Sequence, residues 1–442
     1  MNKHLLNWTG VLAIMVWVGS AAPASAKIIF LPMLDASLSL NTARYNARYS
    51  APRLDAQGNT LPTDSYSSGN NAYVYLAPNL GLTELPGLWL TPVFELEYMG
   101  ANNILNLEDE AFLYNQRLDL YYVLGANYDL SKNWRCKLKA FGRTEKTRSA
   151  ANETLDQGLY NYNDAGGWGE IGASYHLGVP MRTMFGYKGY TRRYPYYLPL
   201  TGQSSQLADS ELSQSLQQAL PADTQMKSYN VGEVWLRQEF TWTPFPLLTN
   251  LEVRFKDVPY TQMPVVQIDG TFGTEKRRDQ YADLSLELPC LINDNHQIEI
   301  DYAHRLRISN QNYYDSSLGL PLGGYYNYFQ NSARLLYTFK FGFTIAGFPP
   351  QGSAGVTWQR RQYLSRPSRQ SSDTNDVYNF DNPHWEQGLE FAVTLKQQLF
   401  AKWFNVFLSY HGVTQTSNSS VEDGASYNYS YNTFTLGTAI SY

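Results

Sequence analysis

The segment TFTLGTAISY, residues 433 to 442, alternates apolar side chains with small or polar ones. Its large apolar side chains share one face: Phe434, Leu436, Ile440 and Tyr442. Because successive side chains of a β-strand point to opposite faces, this period of two predicts a strand. A strand at an open sheet edge presents unpaired backbone groups and needs a neighbour. We therefore expect this segment, with Phe434 and Tyr442, to close a barrel by pairing with a strand near Leu34 to Leu40.

The first 26 residues have the organisation of an export signal. A basic start at Lys3 is followed by an apolar run from Val11 to Val18 and by the small-residue site Ala24, Ser25 and Ala26. The run is too short to span about 30 Å of hydrocarbon comfortably. We predict that residues 1–26 are a cleaved signal peptide and that residues 27–442 form a single barrel domain.

Composition excludes several other classes of protein. After the signal, no run of about 18 apolar residues appears, which excludes helical membrane spans. The two cysteines, Cys136 and Cys290, are too few for a disulfide framework, so both are expected to be free thiols. The formal net charge of −5 and the absence of any nucleic-acid-binding motif argue against a nucleic-acid partner. We expect no cofactor and no metal site.

Strand-like alternation recurs along the rest of the chain, for example in RLDLYYVLGANYDL (117–130), YADLSLEL (281–288) and QIEIDYAHRLRI (297–308). A soluble sandwich would also alternate, but the spacing of the connections favours a transmembrane barrel. About sixteen strands are predicted, near 33–43, 71–78, 88–99, 116–129, 133–146, 166–177, 181–193, 228–243, 248–257, 278–289, 296–309, 326–341, 352–364, 385–398, 403–413 and 428–442. Short turns alternate with long connections at 44–70, 146–165, 194–227, 258–277, 310–325, 365–384 and 414–427.

In these features the chain resembles Gram-negative outer-membrane β-barrels of porin-like size. The resemblance rests on the signal, the strand rhythm and the aromatic end of the last strand, although many members end in Phe where this chain has Tyr442. It implies an all-β, transmembrane antiparallel barrel in the cell outer membrane, in contact with lipid and inserted by the barrel-assembly machinery. Both termini and the short turns would be periplasmic, with the long loops outside. A homo-oligomer or an envelope partner would also fit this class.

About sixteen strands enclose a lumen too wide for side chains to fill, so the inward face is the expected functional site. The alternation predicts basic lumen-lining residues at Arg135, Lys137, Lys139, Arg143, Arg182, Lys188, Arg192, Arg237, Arg254, Lys256, Arg305, Arg307, Arg334, Lys340 and Arg361. It predicts acidic ones at Glu95, Glu97, Asp119, Glu170, Glu233, Glu239, Glu252, Asp283, Glu287, Glu299, Asp301 and Glu390. Basic residues dominate 133–193 and acidic ones 88–130. Such segregation would set a field across the lumen, unless neighbouring strands neutralise one another.

Two other features are candidates for function. Tyrosines cluster in the predicted loops, where their rings would suit sugar faces or simple loop packing. The longest loop, 194–227, contains Leu212, Leu216 and Leu220 at helical spacing, which predicts a short amphipathic helix over 204–220. It would constrict the pore or cover its mouth.

Catalysis finds little support in the sequence. His384 lies near Asp381 and Glu386, but no nucleophile elbow or metal-spacing motif accompanies them. We therefore predict a non-enzymatic channel for passive diffusion of small hydrophilic solutes, anionic or sugar-like ones included. The alternative is a barrel component of an export or envelope-assembly system, such as a polysaccharide secretion pore.

Overall fold

A computed structural model describes residues 28–47, 64–82, 85, 87–103, 115–148, 154–156, 158, 160–197, 226–242, 246–267, 269–315, 319–371, 376–419, 421–422, 425–426 and 428–442. The predicted signal peptide and the predicted helix over 204–220 lie outside these residues. Within them, every regular element is a strand. No helix in the described part of the chain is long and apolar enough to cross a membrane.

Sixteen long strands form the wall: β1 Leu34–Ala47, β2 Asp64–Leu76, β3 Leu88–Asn103, β4 Asn115–Asp129, β5 Trp134–Arg148, β6 Tyr162–Leu177, β7 Val179–Arg193, β8 Tyr229–Trp242, β9 Leu247–Val266, β10 Phe272–Asn293, β11 His296–Ser309, β12 Tyr328–Lys340, β13 Gln351–Ser371, β14 Asp376–Gln398, β15 Phe404–Ser417 and β16 Tyr429–Ser441. Each strand pairs antiparallel with the next, and β16 pairs with both β15 and β1. The sheet is therefore a closed antiparallel barrel of sixteen strands, as the sequence predicts.

The closing seam joins the first strand to the last. β1 and β16 lie opposite each other from Asp35 and Ser441 to Ala47 and Tyr429. The Tyr442 N–H donates to the Leu34 carbonyl at 2.8 Å, and the Leu34 N–H donates back to the Tyr442 carbonyl at 2.9 Å. The pairing expected for the terminal segment is thereby confirmed, and it continues to the last residue.

Two prolines bend the first two strands near one end of the barrel. Ile28–Leu31 precedes β1 across Pro32, and Asn79–Leu82 follows β2 across Pro78; the two short strands pair with each other. Proline has no backbone N–H to contribute to a ladder, so each interruption falls at a residue that cannot donate. The ladder resumes beyond them, because Leu80 lies opposite Leu90 at the start of β3.

The wall has one apolar and one polar face. Large apolar side chains on one face are exposed, for example Leu40 (67%), Leu436 (58%) and Phe255 (57%). The alternate positions carry polar groups, and several of these, such as Asp119 and Glu252, are buried. A water-soluble protein does not expose an apolar belt around its whole surface, whereas a barrel that spans a bilayer must. The chain is therefore an outer-membrane type of β-barrel.

Two of the predicted long loops are in fact strand. The segments 258–277 and 365–384 were expected to be loops, but β9 runs to Val266 and β10 begins at Phe272. Similarly, β13 runs to Ser371 and β14 begins at Asp376. Prolines break the alternation here, and the register shifts at Pro259, Pro264 and Pro367. A strand tolerates proline at such irregularities, so the hairpins extend well past the point where the pattern fades.

The two faces can be tested by placing a charge on each. Leu286 lies on the apolar face of β10 opposite Leu251 and Tyr302, while Ser285 lies on the polar face. We expect Leu286→Arg to reduce the free energy of insertion by about 2 to 4 kcal/mol and Ser285→Arg to be tolerated. Folding into lipid vesicles, followed by urea titration, measures both. Equal losses would mean that the faces are assigned wrongly.

The seam can be tested by truncation. Deletion of residues 429–442 would leave β1 and β15 with unpaired backbone groups in lipid, each costing several kcal/mol. We expect the truncated chain to lose the heat-resistant, compact migration that folded barrels show on gels. Replacing Phe434 and Tyr442 by Ser keeps the backbone, and we expect it to slow assembly without abolishing it. Normal migration of the truncated chain would contradict a closed barrel.

Candidate functional site

The polar face of the wall holds every charged residue that the sequence predicts for the lumen. Their strand positions alternate with the exposed apolar side chains in β3 to β14. On β5, for example, Lys137, Lys139 and Arg143 alternate with the exposed Leu138. The polar face is thus continuous across the charged strands.

Most of the charges on this face form ion pairs with a neighbouring strand. Arg192 contacts both carboxylate oxygens of Asp164, at 2.8 and 2.7 Å. Lys137 contacts Glu170 at 3.0 Å, and Arg143 forms a close pair with Asp119. The other pairs include Arg135–Asp129, Arg117–Glu145, Arg182–Glu239, Arg237–Glu252, Arg254–Glu233, Arg305–Asp283, Arg334–Asp301 and Arg361–Glu386. The basic block over 133–193 is therefore largely neutralised by carboxylates one strand away.

The most enclosed pair centres on Asp279, which is only 1% exposed. It accepts hydrogen bonds from Arg277 at 3.0 Å, Arg307 at 2.8 Å and the Ser309 hydroxyl at 2.6 Å. Sequence analysis did not single out this residue, although it lies in the predicted strand 278–289 on the same face as Asp283 and Glu287. Its position two residues before Tyr281 on the same face was the available signal.

Three lysines on the polar face differ from the rest. The ammonium of Lys139 lies 4.9 Å from the Trp168 ring, that of Lys188 lies 5.0 Å from Phe141, and that of Lys256 lies 5.4 Å from Tyr281. In the part of the chain that the structure describes, none of the three has a carboxylate oxygen within the 4.0 Å of an ion pair. On β3, Glu95 and Glu97 likewise form no ion pair among the described residues. The carboxylates on β3 and the ammonium groups on β5, β7 and β9 are therefore charges of opposite sign that no ion pair among the described residues neutralises.

Tyrosines are concentrated on the polar face as well as in the loops where the sequence placed them. Tyr328 lies opposite Tyr363 with ring centroids 5.7 Å apart. The guanidinium of Arg192 lies 3.7 Å from the centroid of Tyr162, and that of Arg361 lies 4.8 Å from the centroid of Tyr328. Aromatic rings and cations thus alternate over much of this face, an arrangement that strand alternation alone did not indicate.

One tyrosine cluster lies beyond the strand ends, around Lys227, which precedes β8. The Lys227 ammonium is 4.3 Å from the ring centroid of Tyr160, 5.1 Å from that of Tyr194 and 5.3 Å from that of Tyr197. Burial among these rings lowers the pKa of Lys227. The Tyr194 ring is only 7% exposed and lies with the others around one cation, which favours loop packing for this cluster over a sugar site.

His384 forms a hydrogen-bonded relay in the first half of β14. Its Nδ1 is 2.7 Å from the Ser419 hydroxyl and its Nε2 is 3.0 Å from Glu386, while Asp381 is exposed. The order serine, histidine and acid matches that of a nucleophilic site. However, His384 is fully buried, and the Ser419 oxygen already accepts the Arg369 N–H at 2.9 Å. The relay thus fastens the end of β15 to β13 and β14.

No group of three or more His, Cys, Asp or Glu side chains in the described ranges could hold a metal ion. Cys136 and Cys290 are free, as expected. No cofactor-binding arrangement was predicted from the sequence either.

No protein-family model matches the sequence, and no protein of curated function matches it. Among solved structures, an anion-selective porin from Comamonas acidovorans is similar, with 11% identity, 95% of this chain and 100% of the porin covered, and a TM-score of 0.40. The outer membrane channel DcaP of Acinetobacter baumannii is 9% identical, with 95% of this chain and 99% of DcaP covered and a TM-score of 0.42. A bacterial polysaccharide outer membrane secretin is 7% identical, with 92% of this chain and 98% of the secretin covered and a TM-score of 0.35. Likeness at this level says nothing about what passes through this chain.

The Asp279 centre offers a stability test with a matched control. Asp279→Asn leaves Arg277 and Arg307 without their shared carboxylate, so we expect a loss of roughly 3 to 5 kcal/mol in the free energy of unfolding. Asp283→Asn breaks a pair whose arginine is 47% exposed, and we expect a loss below about 1 kcal/mol. Equilibrium urea unfolding in vesicles measures the free energy of unfolding of both variants. Similar losses would mean that burial does not determine how much each ion pair contributes to stability.

Proposed function

We propose that the protein is an outer-membrane channel through which small hydrophilic solutes, including anions and sugars, diffuse passively. The observation that carries this proposal is the polar face, which bears ionised side chains around most of a closed sixteen-strand wall. Barrels of sixteen strands are wide enough to leave an aqueous channel. Charged groups at the inner face need that water, because a dry interior would make each imperfect pair costly.

We further propose that the charged residues named above line this channel and that Lys139, Lys188 and Lys256 set its preference for anions. Paired charges contribute little net field, whereas an ammonium without a carboxylate partner attracts anions over a Debye length. Glu95 and Glu97 on β3 would strengthen the electric field between β3 and the strands that carry these three lysines. We also propose that both termini lie at the periplasmic end and that lipid and the barrel-assembly machinery are the partners of biogenesis.

One observation favours the alternative of an export or envelope-assembly barrel. The turn between β12 and β13 exposes Phe343 (56%) and Ile345 (48%), and Phe400 is exposed in the next turn at the same end. Gln397 donates to the carbonyls of Ile345 and Phe348, at 3.0 and 3.2 Å, which fixes the longer turn. Such a rigid apolar tip could dock an envelope partner or a second copy of the barrel. A channel that depends on a partner should be closed on its own.

Single-channel recording of the purified barrel separates the two proposals. We expect stepwise conductance, with a reversal potential in a salt gradient that indicates anion preference. Changing Lys139, Lys188 and Lys256 together to Glu should shift that potential toward cations, most strongly near 0.01 M salt, where the Debye length is about 30 Å. Arg135→Glu is the control, because Arg135 is half-exposed at a strand end and paired with Asp129 at 2.5 Å. A folded wild-type barrel that passes no current would contradict the autonomous channel.

A further inference from the structure

Six residues of the polar face stand directly opposite one another on consecutive strands. The row crosses β5 to β10 as Lys139, Trp168, Lys188, Glu233, Lys256 and Tyr281, each the register partner of the next. It includes Lys139, Lys188 and Lys256, three lysines that form no ion pair in the described ranges. The Trp168 ring lies between Lys139 and Lys188, and the Tyr281 ring follows Lys256. Cations and rings therefore lie in one line and are not scattered over the face.

The same line continues through three more strands. Tyr281 lies opposite Arg307, Arg307 opposite Tyr328, and Tyr328 opposite Tyr363. The Arg307 guanidinium is 5.7 Å from the ring centroids of both Tyr281 and Tyr328. The line from Lys139 to Tyr363 is called the cation–aromatic row below. Its last two rings, Tyr328 and Tyr363, are only 7% and 8% exposed, so the stretch that a ligand can reach runs from Lys139 to Arg307.

The single carboxylate of the row is already engaged. Glu233 lies between Lys188 and Lys256 in the register, but its Oε1 contacts Arg254 at 3.3 Å. The neighbouring Trp235 packs edge-on against Trp168, with ring centroids 5.9 Å apart, and so fixes that ring. The lysines consequently keep ammonium donors that no carboxylate of the described chain takes up.

Strand tilt turns this row into a path along the pore. Residues in register lie perpendicular to the strands, and barrel strands are inclined to the axis. With strands about 4.8 Å apart and tilted by roughly 40°, the six steps from Lys139 to Arg307 run about 29 Å along the wall and rise about 19 Å along the axis. A rise of about 19 Å covers most of the apolar band of such barrels, which is about 25 Å tall.

We propose that the cation–aromatic row is a binding track for acidic oligosaccharides, a substrate class that rests on the channel function proposed above. Sugar rings present C–H faces that stack on aromatic rings, and their carboxylates accept hydrogen bonds from ammonium and guanidinium groups. A small anion would use the cations and leave the rings without a role. A neutral sugar would use the rings and leave three ammonium groups unpaired. A chain of acidic sugars uses both, at successive positions along the pore.

Binding is tested on the folded full-length barrel in detergent, with tetragalacturonate as the probe and maltotetraose as the neutral chain of equal length. Isothermal titration calorimetry, which does not depend on any single tryptophan, gives the dissociation constant. We expect tetragalacturonate to bind at least tenfold more tightly than maltotetraose. Trp168→Ala, and separately Lys139→Gln with Lys188→Gln and Lys256→Gln, should each weaken it at least tenfold. Lys132, Lys396 and Lys402 changed together to Gln remove the same charge away from the row and should leave binding within twofold.

The same variants in planar bilayers separate this proposal from the channel itself. We expect tetragalacturonate to block the wild-type current transiently and the row variants to conduct without such blocks. A conducting barrel that binds both sugars equally, or that the row variants leave unaffected, overturns the track while the channel stands. A barrel that passes no current but binds tetragalacturonate through the row overturns passive diffusion and leaves the track in place. Heat-resistant gel migration confirms that each variant is folded, and Trp168→Phe should restore most of the binding.

Discussion

The structure depends on one constraint: every backbone N–H and C=O within lipid must find a partner in the protein. A flat sheet of sixteen strands would fail this at two edges, and closure between β1 and β16 removes both. The reciprocal hydrogen bonds between Leu34 and Tyr442 extend the seam to the last residue of the chain. Where proline removes a donor, at Pro32 and Pro78, the ladder pauses and then resumes on short strands that pair with each other.

Closure also decides where charge can go. Because the apolar face contacts lipid, charged side chains are confined to the polar face. The antiparallel register then places them next to one another on neighbouring strands. Most then pair, as Arg192 does with Asp164 and Arg305 does with Asp283. Within the described residues, the charges that stay without an ion partner include the lysines of the cation–aromatic row and the carboxylates of β3, and such groups set the electrostatic character of the wall.

Much of this fold could be predicted from the sequence, because alternation and closure are local and repetitive signals. The strand count, the partner of the last strand and the face of each charged residue follow from a period of two. What could not be predicted is which charges pair, since that depends on register between strands. Lys137 and Lys139 are two residues apart on one face of β5, yet only Lys137 has a carboxylate opposite it, because register sets Glu170 against Lys137 and Trp168 against Lys139. Strand length was missed for a related reason, because prolines at Pro259 and Pro367 hide the pattern while the hairpins continue.

Register also explains why the row of cations and rings is a property of the wall and not of any single strand. Each strand contributes one residue, so no sequence segment carries the pattern, and a shift of one residue in any pair would send half of it to the lipid face. Holding nine residues in line therefore requires tight register from β5 to β13, and no shift occurs at these positions. The shifts that do occur between these strands lie beyond the row, at Pro264 and Pro367 toward one end and between Leu291 and Asn293 toward the other. The cation–aromatic row thus lies where the register of β5 to β13 is unbroken.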